Sequence, residues 1–405
     1  MIYLDNASTT AILPEVFDAM LPYLKTQYGN PGTLYELGRN AKKAIETARE
    51  QVAGLIGAAP EQIIFTSGGT ESNNTVFRSL PSLVQSAGYN MGKHIVTAYN
   101  EHDSVLKSVE NICIKHGFCA SYLRPDPVSG CIVPANVQSS IIKDDNESDD
   151  ESLWTHHNTG LVSIMYVNNE TGAENDVAEI SEICQRNGIL FHTDCVQALG
   201  SVPVDVGRIK CDFASFSSHK IHGPKGVGAL FVGTRQLVDP LILGGSAQEG
   251  GIRGGTENVA GIVGFGKACE LTKKRFRDDE IKLSMLKQVF YTNLEQNLEQ
   301  MHLDHIVKPN VDTVVKHGKI LNLRFDGIDG ETLVLLLDRV GIMVSAGAAC
   351  SSNESKPSHV LLSMGISPED ARNSVRFSFS VMNTEEEMIR AADLVAHCVG
   401  RLKQL

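Results

Sequence analysis

Short apolar runs alternate with amphipathic helical patterns from about residue 14 to residue 234, and this alternation restricts the possible folds more than any other feature. Before the apolar run 189–192, Val177, Ile180 and Ile183 share one helical face, and Asn187-Gly188 is a typical helix end. Because strands that alternate with helices form βαβ units, the sequence predicts an α/β fold with a mostly parallel sheet. The other predicted strands lie near residues 63–65, 94–96, 161–167 and 212–216.

The length of 405 residues, with 42% apolar content, permits a large core and two or three domains. After a glycine-rich stretch at 244–255, a long helical pattern runs from Val259 to about Gln300. It leads into a second α+β region that ends in a helix over 385–405. We expect a hinge within the long helix, with a large domain at 14–275 and a small domain built from 1–13 and 276–405.

Charge and cysteine usage exclude several classes of protein. The net charge of −12 and the pI near 5.6 argue against a broad basic surface, so direct nucleic-acid binding is not expected. The start of the chain lacks a signal-peptide pattern and no run of about 18 apolar residues occurs, so we expect a cytoplasmic protein without membrane association. Nine cysteines without a C-x-x-C pair resemble neither a disulfide framework nor a zinc site, and no metal is expected.

An acidic segment at 143–152 contains six carboxylic acids and no apolar residue. Its charges repel one another and nothing anchors it to a core, so the sequence predicts a solvated surface loop. The alternative is a docking site for a basic partner.

Three strand ends carry candidate functional groups. At 65–73 a strand enters a glycine turn and a helix begins, and the N–H groups of such a helix start suit a phosphate, although an ordinary turn is also consistent. Asp194 follows the strand 189–193, where its carboxylate could pair with a pyridinium nitrogen or cap a helix. Lys220 follows the strand 212–216, and a lysine there either forms a Schiff base or lies on the surface. An anion site, a pyridinium partner and an amine are what pyridoxal phosphate needs, so the combination predicts that cofactor.

With these groups in place, the sequence resembles the cysteine desulfurases of the NifS/IscS type, which belong to the class V aminotransferase group of fold-type I pyridoxal-phosphate enzymes. The resemblance covers almost the whole chain. It implies a large domain with a mostly parallel seven-stranded sheet between helices, and a smaller α+β domain. Its motifs lie at residues 3–10, 28–31, 66–72, 101–102, 167–172, 194–197, 217–220, 253–256 and 345–352.

The resemblance also implies roles for individual residues. Lys220 would hold pyridoxal 5'-phosphate covalently, Asp194 would face its ring nitrogen, and Gln197 would bind its phenolate oxygen. His102 would stack on the ring and act as an acid or base near the substrate thiol, although a core or surface histidine is the plain alternative. The phosphate and the rest of the cofactor would contact Gly69, Thr70, Asn169, Ser217 and His219.

Further roles concern the substrate and a second subunit. The resemblance implies that Asn30 and Arg376 bind the carboxylate of L-cysteine, since an arginine fork suits a carboxylate; the alternative for Arg376 is a charge that faces water. It also implies that Thr256 reaches the phosphate site of a neighbouring subunit, which predicts a homodimer.

Cys350 decides which reaction is expected. Residues 347–354 are small or polar and contain no apolar anchor, so they predict an exposed, mobile loop at about 345–356. The Cys350 thiolate would attack the sulfur of L-cysteine, with Lys220 as the base for the Cα proton, and give L-alanine and a persulfide on the enzyme. Cys195, Cys211 and Cys269 are expected to be buried and inert.

The predicted function is therefore cysteine desulfurase, a sulfurtransferase that supplies an acceptor protein in iron–sulfur assembly, tRNA thiolation or DNA phosphorothioation. Two alternatives stay open: a related lyase that acts on selenocysteine or cysteine sulfinate, and a non-catalytic scaffold subunit. Tyr35 stands where the family usually has histidine, and the chain ends directly after its final helix, without the tail that docks an iron–sulfur scaffold. The missing tail favours tRNA thiolation or DNA phosphorothioation as the acceptor pathway, and the consequence of Tyr35 stays open.

Overall fold

The computed structural model of the protein describes residues 1–85, 91–142, 158–245, 248–311, 318–346 and 356–404. The strands are β1 (Ile2–Tyr3), β2 (Ile63–Thr66), β3 (His94–Ala98), β4 (Cys119–Leu123), β5 (Thr159–Ser163), β6 (Leu190–Asp194), β7 (Phe213–Ser217), β8 (Gly228–Val232), β9 (Val307–Pro309), β10 (Ile320–Phe325), β11 (Ile342–Met343) and β12 (Ser374–Ser378). The α-helices are α1 (Pro14–Lys25), α2 (Glu36–Ile56), α3 (Gly69–Gln85), α4 (Asp103–His116), α5 (Pro134–Ser140), α6 (Val177–Asn187), α7 (Val206–Ile209), α8 (Val259–Gln300), α9 (Gly330–Arg339), α10 (His359–Ser363), α11 (Pro368–Arg372) and α12 (Glu385–Lys403).

A seven-stranded sheet organises the first part of the chain, in the order β2-β8-β7-β6-β5-β3-β4. Its strands are parallel except for β8, which runs antiparallel to both of its neighbours. This confirms the predicted α/β fold with a mostly parallel sheet between helices. The predicted helix before β6 is α6, which Asp176 caps at its start and Gly188, with φ of 67°, follows at its end.

Helices cover both faces of this sheet, as buried parallel strands require. In β3, Val96 packs into a first core with α2, α6 and the start of α8. Its neighbour Ile95 points to the other face and packs into a second core with α3 and α4. Because helices cover both faces of the sheet, a ligand is expected to bind at the carboxyl ends of the strands.

A third core lies in the second part of the chain. A three-stranded antiparallel sheet, β12-β10-β9, packs against α12 and the end of α8, and β1 pairs in parallel with β11. The long helix α8 contributes Phe265 to the first core and Phe290 to the third core. The division into domains at 14–275 and 276–405 stays a prediction that this arrangement motivates.

Some of the sequence predictions fall on residues that the structure does not describe, and others can be checked. The acidic segment 143–152 and the segment 347–354 with Cys350 lie outside them. The predicted burial of Cys195, Cys211 and Cys269 is confirmed. Across the described ranges, the helices are all too short or too polar to span a lipid bilayer, and no three His, Cys, Asp or Glu side chains are grouped as metal ligands would be.

Candidate active site

A cavity of about 260 Å³ opens at the carboxyl ends of β6 and β7. Ten of the thirteen predicted site residues line it, contributed by the sheet, by the starts of α3 and α4, and by β12. These ten are Gly69, Thr70, His102, Asn169, Asp194, Gln197, Ser217, His219, Lys220 and Arg376. The fold therefore brings together groups that are as much as 307 residues apart in the sequence, from Gly69 to Arg376.

Asp194 is the last residue of β6 and places a buried carboxyl group at the cavity. One carboxyl oxygen accepts the main-chain N–H of Val196 at 2.9 Å, and the other accepts the Asn73 side-chain amide at 2.7 Å. Burial lowers the pKa of His192, two residues earlier, to about 4, although Asp194 opposes this shift. The His192 ring is therefore neutral at pH 7, and a carboxylate at the end of β6 is a group that a protonated ring nitrogen can pair with.

Lys220 ends a short 3₁₀ turn, Ser218–Lys220, directly after β7. Its Nζ donates to the main-chain oxygens of Ala7 at 2.5 Å and Ser8 at 2.9 Å. The hydroxyl of Thr10 donates to the main-chain oxygen of His219 at 2.9 Å, so the N-terminal segment wraps the lysine turn. This segment is the motif at residues 3–10, but the sequence does not predict its contact with Lys220.

The start of α3 forms the predicted anion site. A Cβ added to Gly69 would lie 2.4 Å from a methyl carbon of Val196, so glycine alone fits without a shift there. Thr70, Ser217 and His219 surround the same end of the helix within the cavity. Main-chain N–H groups and hydroxyls are donors that suit a phosphate.

His219 and Gln197 complete this part of the cavity. Burial, with added effects of the Lys220, Lys319 and Lys225 charges, lowers the pKa of His219 to about 4, so its ring is neutral and can donate or accept. The Gln197 amide donates to the main-chain oxygen of Ala7 at 2.8 Å, and its buried Oε1 has no partner within the described residues. A buried polar atom of this kind is typical of a site that a ligand or water completes.

His102 caps the start of α4, and a hydrogen-bond relay fixes its ring. Its Nδ1 lies 2.7 Å from the Ser104 hydroxyl and accepts the Ser104 main-chain N–H at 3.1 Å. The Asn73 amide that donates to Asp194 also donates to the Ser104 hydroxyl at 2.8 Å. The hydroxyl proton is therefore directed to Nδ1, and a ring that accepts at Nδ1 carries its proton on Nε2.

Two further residues near His102 have contacts that the sequence does not predict: Glu101, which belongs to the motif 101–102 but had no assigned role, and His359. Glu101 is fully buried and accepts the Met165 main-chain N–H at 2.6 Å. Burial raises the pKa of Glu101 well above its usual range, which the Met165 N–H opposes and the Asp194 charge reinforces. His359 lines the cavity, and its Nε2 donates to the main-chain oxygen of Glu101 at 3.1 Å. Neither contact has a local sequence signal, because both depend on distant segments.

Arg376, in β12, is 2% exposed, so its charge does not face water. Its Nη2 donates to the Asp5 carboxylate at 2.8 Å and to the Ser8 hydroxyl at 2.7 Å, and its Nη1 donates to the main-chain oxygen of Asn169 at 2.7 Å. Its Nε has no partner in the described ranges. The guanidinium is thus held rigidly at the cavity wall, as recognition of a carboxylate requires.

Two of the predicted site residues that the structure describes, Asn30 and Thr256, do not line the cavity of the single chain. Asn30 is exposed, and its side chain accepts the main-chain N–H of Gly32 at 2.9 Å. Thr256 is exposed and does not line the cavity. Cys350 lies outside the described residues. Their predicted roles stay predictions.

Comparison with known proteins adds an independent line of support. A family model described as Aminotransferase class-V matches residues 2–390. The cysteine desulfurase IscS of Dictyoglomus turgidum is 38% identical over 404 residues, which cover 100% of this chain and 96% of that protein. A solved structure of a NifS-like protein is 31% identical with a TM-score of 0.84 and covers 100% of both chains. A structure of SspA in complex with cysteine is 29% identical with a TM-score of 0.74, covering 95% of this chain and 100% of that one.

Proposed function

Because the chain belongs to the class V aminotransferase family, we propose on the strength of its site that it is a cysteine desulfurase. It uses pyridoxal phosphate to remove sulfur from L-cysteine and passes that sulfur to an acceptor protein. The observation that carries the proposal is one cavity that holds the Lys220 amine, the Asp194 carboxylate and the start of α3. The relatives named cysteine desulfurase, and the SspA structure with bound cysteine, support the choice of substrate.

The residues present fit pyridoxal phosphate. The glycine at position 69 leaves room for an anion at the helix start, the charged Asp194 suits a ring nitrogen that carries a proton, and Lys220 offers an amine. Thr70, Ser217 and His219 would help to hold the phosphate, and Gln197 and Asn169 would contact the rest of the molecule. When bound, the cofactor supplies an electron-withdrawing ring that stabilises negative charge on the Cα of an amino acid.

We assign the proton transfers to two side chains. The Lys220 amine is the base for the Cα proton of the substrate, because it is the amine that the β7 turn aims into the cavity. His102 is the acid at the substrate thiol, because the relay from Ser104 leaves its proton on Nε2. Arg376 orients the substrate through its carboxylate, and we propose that Asn30 assists it.

Sulfur transfer is assigned to Cys350. Its thiolate attacks the sulfur of L-cysteine, so that an S–S bond forms and the C–S bond breaks with its electron pair remaining on carbon. Protonation of that carbon gives L-alanine, and the sulfur stays on Cys350 as a persulfide. A nucleophile in a loop at about 345–356 would then carry the sulfur to the acceptor protein.

The assembly and the acceptor are further parts of the proposal. We propose a homodimer in which Thr256 contributes to the neighbouring subunit's phosphate site, which its exposure in the single chain supports. Eight described cysteines are free thiols, which suits the cytoplasm as compartment. The acceptor acts in tRNA thiolation, DNA phosphorothioation or iron–sulfur assembly, and the acidic segment 143–152 is a candidate docking region.

The test incubates the purified enzyme with L-cysteine and a thiol reductant and measures alanine and sulfide together. We expect equal amounts of both products, and we expect Cys350→Ala to lose persulfide formation while Cys119→Ala, which removes an exposed thiol of β4, retains it. Continued alanine formation by Cys350→Ala at the wild-type rate would instead indicate a lyase for selenocysteine or cysteine sulfinate. A purified protein whose visible absorbance band is missing, or is unchanged in Lys220→Ala, would contradict the assignment and favour a scaffold.

A further inference from the structure

Lys319 is a buried lysine next to the lysine of the proposed active site. It directly precedes β10 and is 6% exposed. Its Nζ donates to the main-chain oxygen of Lys220 at 2.9 Å. In the described ranges no carboxylate forms an ion pair with it, and its polar partner is this carbonyl. A buried amine without a carboxylate partner is costly, so a chain that keeps one is expected to use it.

The charges that act on Lys319 are positive: Lys220 acts from the turn after β7, and Arg376 acts from β12. His219 and His222, on either side of Lys220 in the sequence, have pKa values lowered to about 4, so their rings add no charge at neutral pH. A small cavity between Lys319 and Lys220 is also lined by Arg275 and Asp279 of α8. Burial raises the pKa of Asp279, and the Arg275 charge opposes that shift.

The amines of Lys319 and Lys220 therefore oppose each other's protonation. Burial is the main cause that lowers the pKa of Lys319 to about 7, and the charges of Lys220 and Arg376 lower it further. Two amines that interact in this way share their protons, so that a charge on one disfavours a charge on the other.

We propose that Lys319 is a positioning residue for Lys220: a buried amine that holds the lysine turn through the Lys220 main-chain carbonyl and, when it is protonated, opposes a positive charge on the Lys220 amine. An uncharged amine is required both to bond to a carbonyl carbon and to accept a proton from substrate. The hydrogen bond to the Lys220 carbonyl keeps the turn that directs this amine into the cavity. The inference rests on the proposed cofactor role of Lys220.

The test follows the rate at which the cofactor-stripped enzyme takes up pyridoxal phosphate, recorded by absorbance as a function of pH. Two variants separate the parts of the inference: Lys319→Met removes the charge and the donor, whereas Lys319→Gln removes the charge and keeps a donor. We expect uptake to be slower in both variants at and below pH 7, where wild-type Lys319 is protonated, with a rise of up to about one unit in the pH midpoint of uptake. The charge-matched control is Lys225→Met, an exposed lysine on the same loop whose charge also acts on His219.

The outcomes separate the inference from the function on which it rests. If wild type takes up the cofactor and Lys220→Ala does not, the cofactor role of Lys220 is supported. If Lys220→Ala takes it up as wild type does, the proposed function is wrong. With that role intact, a Lys319→Met midpoint equal to those of wild type and Lys225→Met overturns the inference. A Lys319→Gln midpoint equal to that of wild type also overturns it, because the charge would then have no effect.

Discussion

At the scale of single residues, the site depends on hydrogen bonds that set which atom carries a proton. The Ser104 hydroxyl stands between Asn73 and His102 and is the closer of the two donors to Nδ1. In Ser104→Ala the ring keeps only the longer main-chain bond, and one Asn73 N–H loses its partner. We expect kcat to fall about tenfold, corresponding to about 1.4 kcal/mol, with KM changed less than twofold.

This prediction can be distinguished from general disruption of α4. Ser108→Ala is the matched control, because Ser108 lies one turn later and its hydroxyl donates to the Ser104 main-chain oxygen at 2.6 Å rather than to the His102 ring. Nitrogen NMR of histidine-labelled enzyme is expected to show one His102 tautomer in wild type and in Ser108→Ala, and two in Ser104→Ala. A single tautomer and unchanged kcat in Ser104→Ala would show that the main-chain N–H suffices.

Lys319 also predicts how stability varies with pH. Its pKa is about 7 in the folded chain and about 10.4 when unfolded, so the folded state binds fewer protons between these values. Stability should therefore fall as pH decreases from about 10.4 to about 7, by up to about 5 kcal/mol, and then level off. Urea unfolding at several pH values is expected to show that Lys319→Met is more stable than wild type, by a margin that grows across this window as pH falls. A constant margin would contradict the lowered pKa.

At the scale of elements, a buried ion pair ties α2 to the glycine-rich segment. Arg49 donates to both carboxylate oxygens of Glu249 at 2.8 and 2.9 Å, and Glu249 also accepts the Phe65 main-chain N–H at 3.0 Å. Glu249 has a φ of 44°, so these bonds hold a strained turn in place.

Removal of one partner from this pair should be costly. Glu249→Gln is expected to lower the free energy of unfolding by about 3 kcal/mol, because it removes the buried carboxylate from Arg49 and leaves that buried charge to the half-exposed Glu46. Glu46→Gln is the control: Glu46 contacts the same arginine, but its side chain is 52% exposed, so we expect a loss below about 1 kcal/mol. If chemical denaturation gives equal losses of unfolding free energy in both variants, burial does not determine the strength of these ion pairs.

Residues at strand ends could be predicted from the sequence, whereas contacts between distant segments could not. The strand-end positions of Asp194 and Lys220 could be predicted, because the alternation of strands and helices shows where parallel strands end. The hydrogen bond from Lys220 to the Ala7 main-chain oxygen could not be predicted, since it joins residues 213 positions apart and no local sequence pattern indicates it. The same holds for Lys319, whose contact with the Lys220 turn depends on how two cores pack together.

At the scale of the whole molecule, α8 contributes to two separate cores. Phe265 and Phe290 are both fully buried, the former in the first core and the latter in the third. Each change to alanine should cost about 3–5 kcal/mol. If the predicted domains are real, Phe290→Ala is expected to speed limited proteolysis within 276–405 while 14–275 persists. Equal cleavage of both parts would argue for one cooperative unit.

The clasp between the two ends of the chain has a consequence for biosynthesis. Asp5 and Ser8, near the start, hold Arg376, which lies close to the other end. Asp5 and Ser8 leave the ribosome long before Arg376 does, so the site cannot be complete until Arg376 has also emerged. Desulfurization has to wait for that point in synthesis.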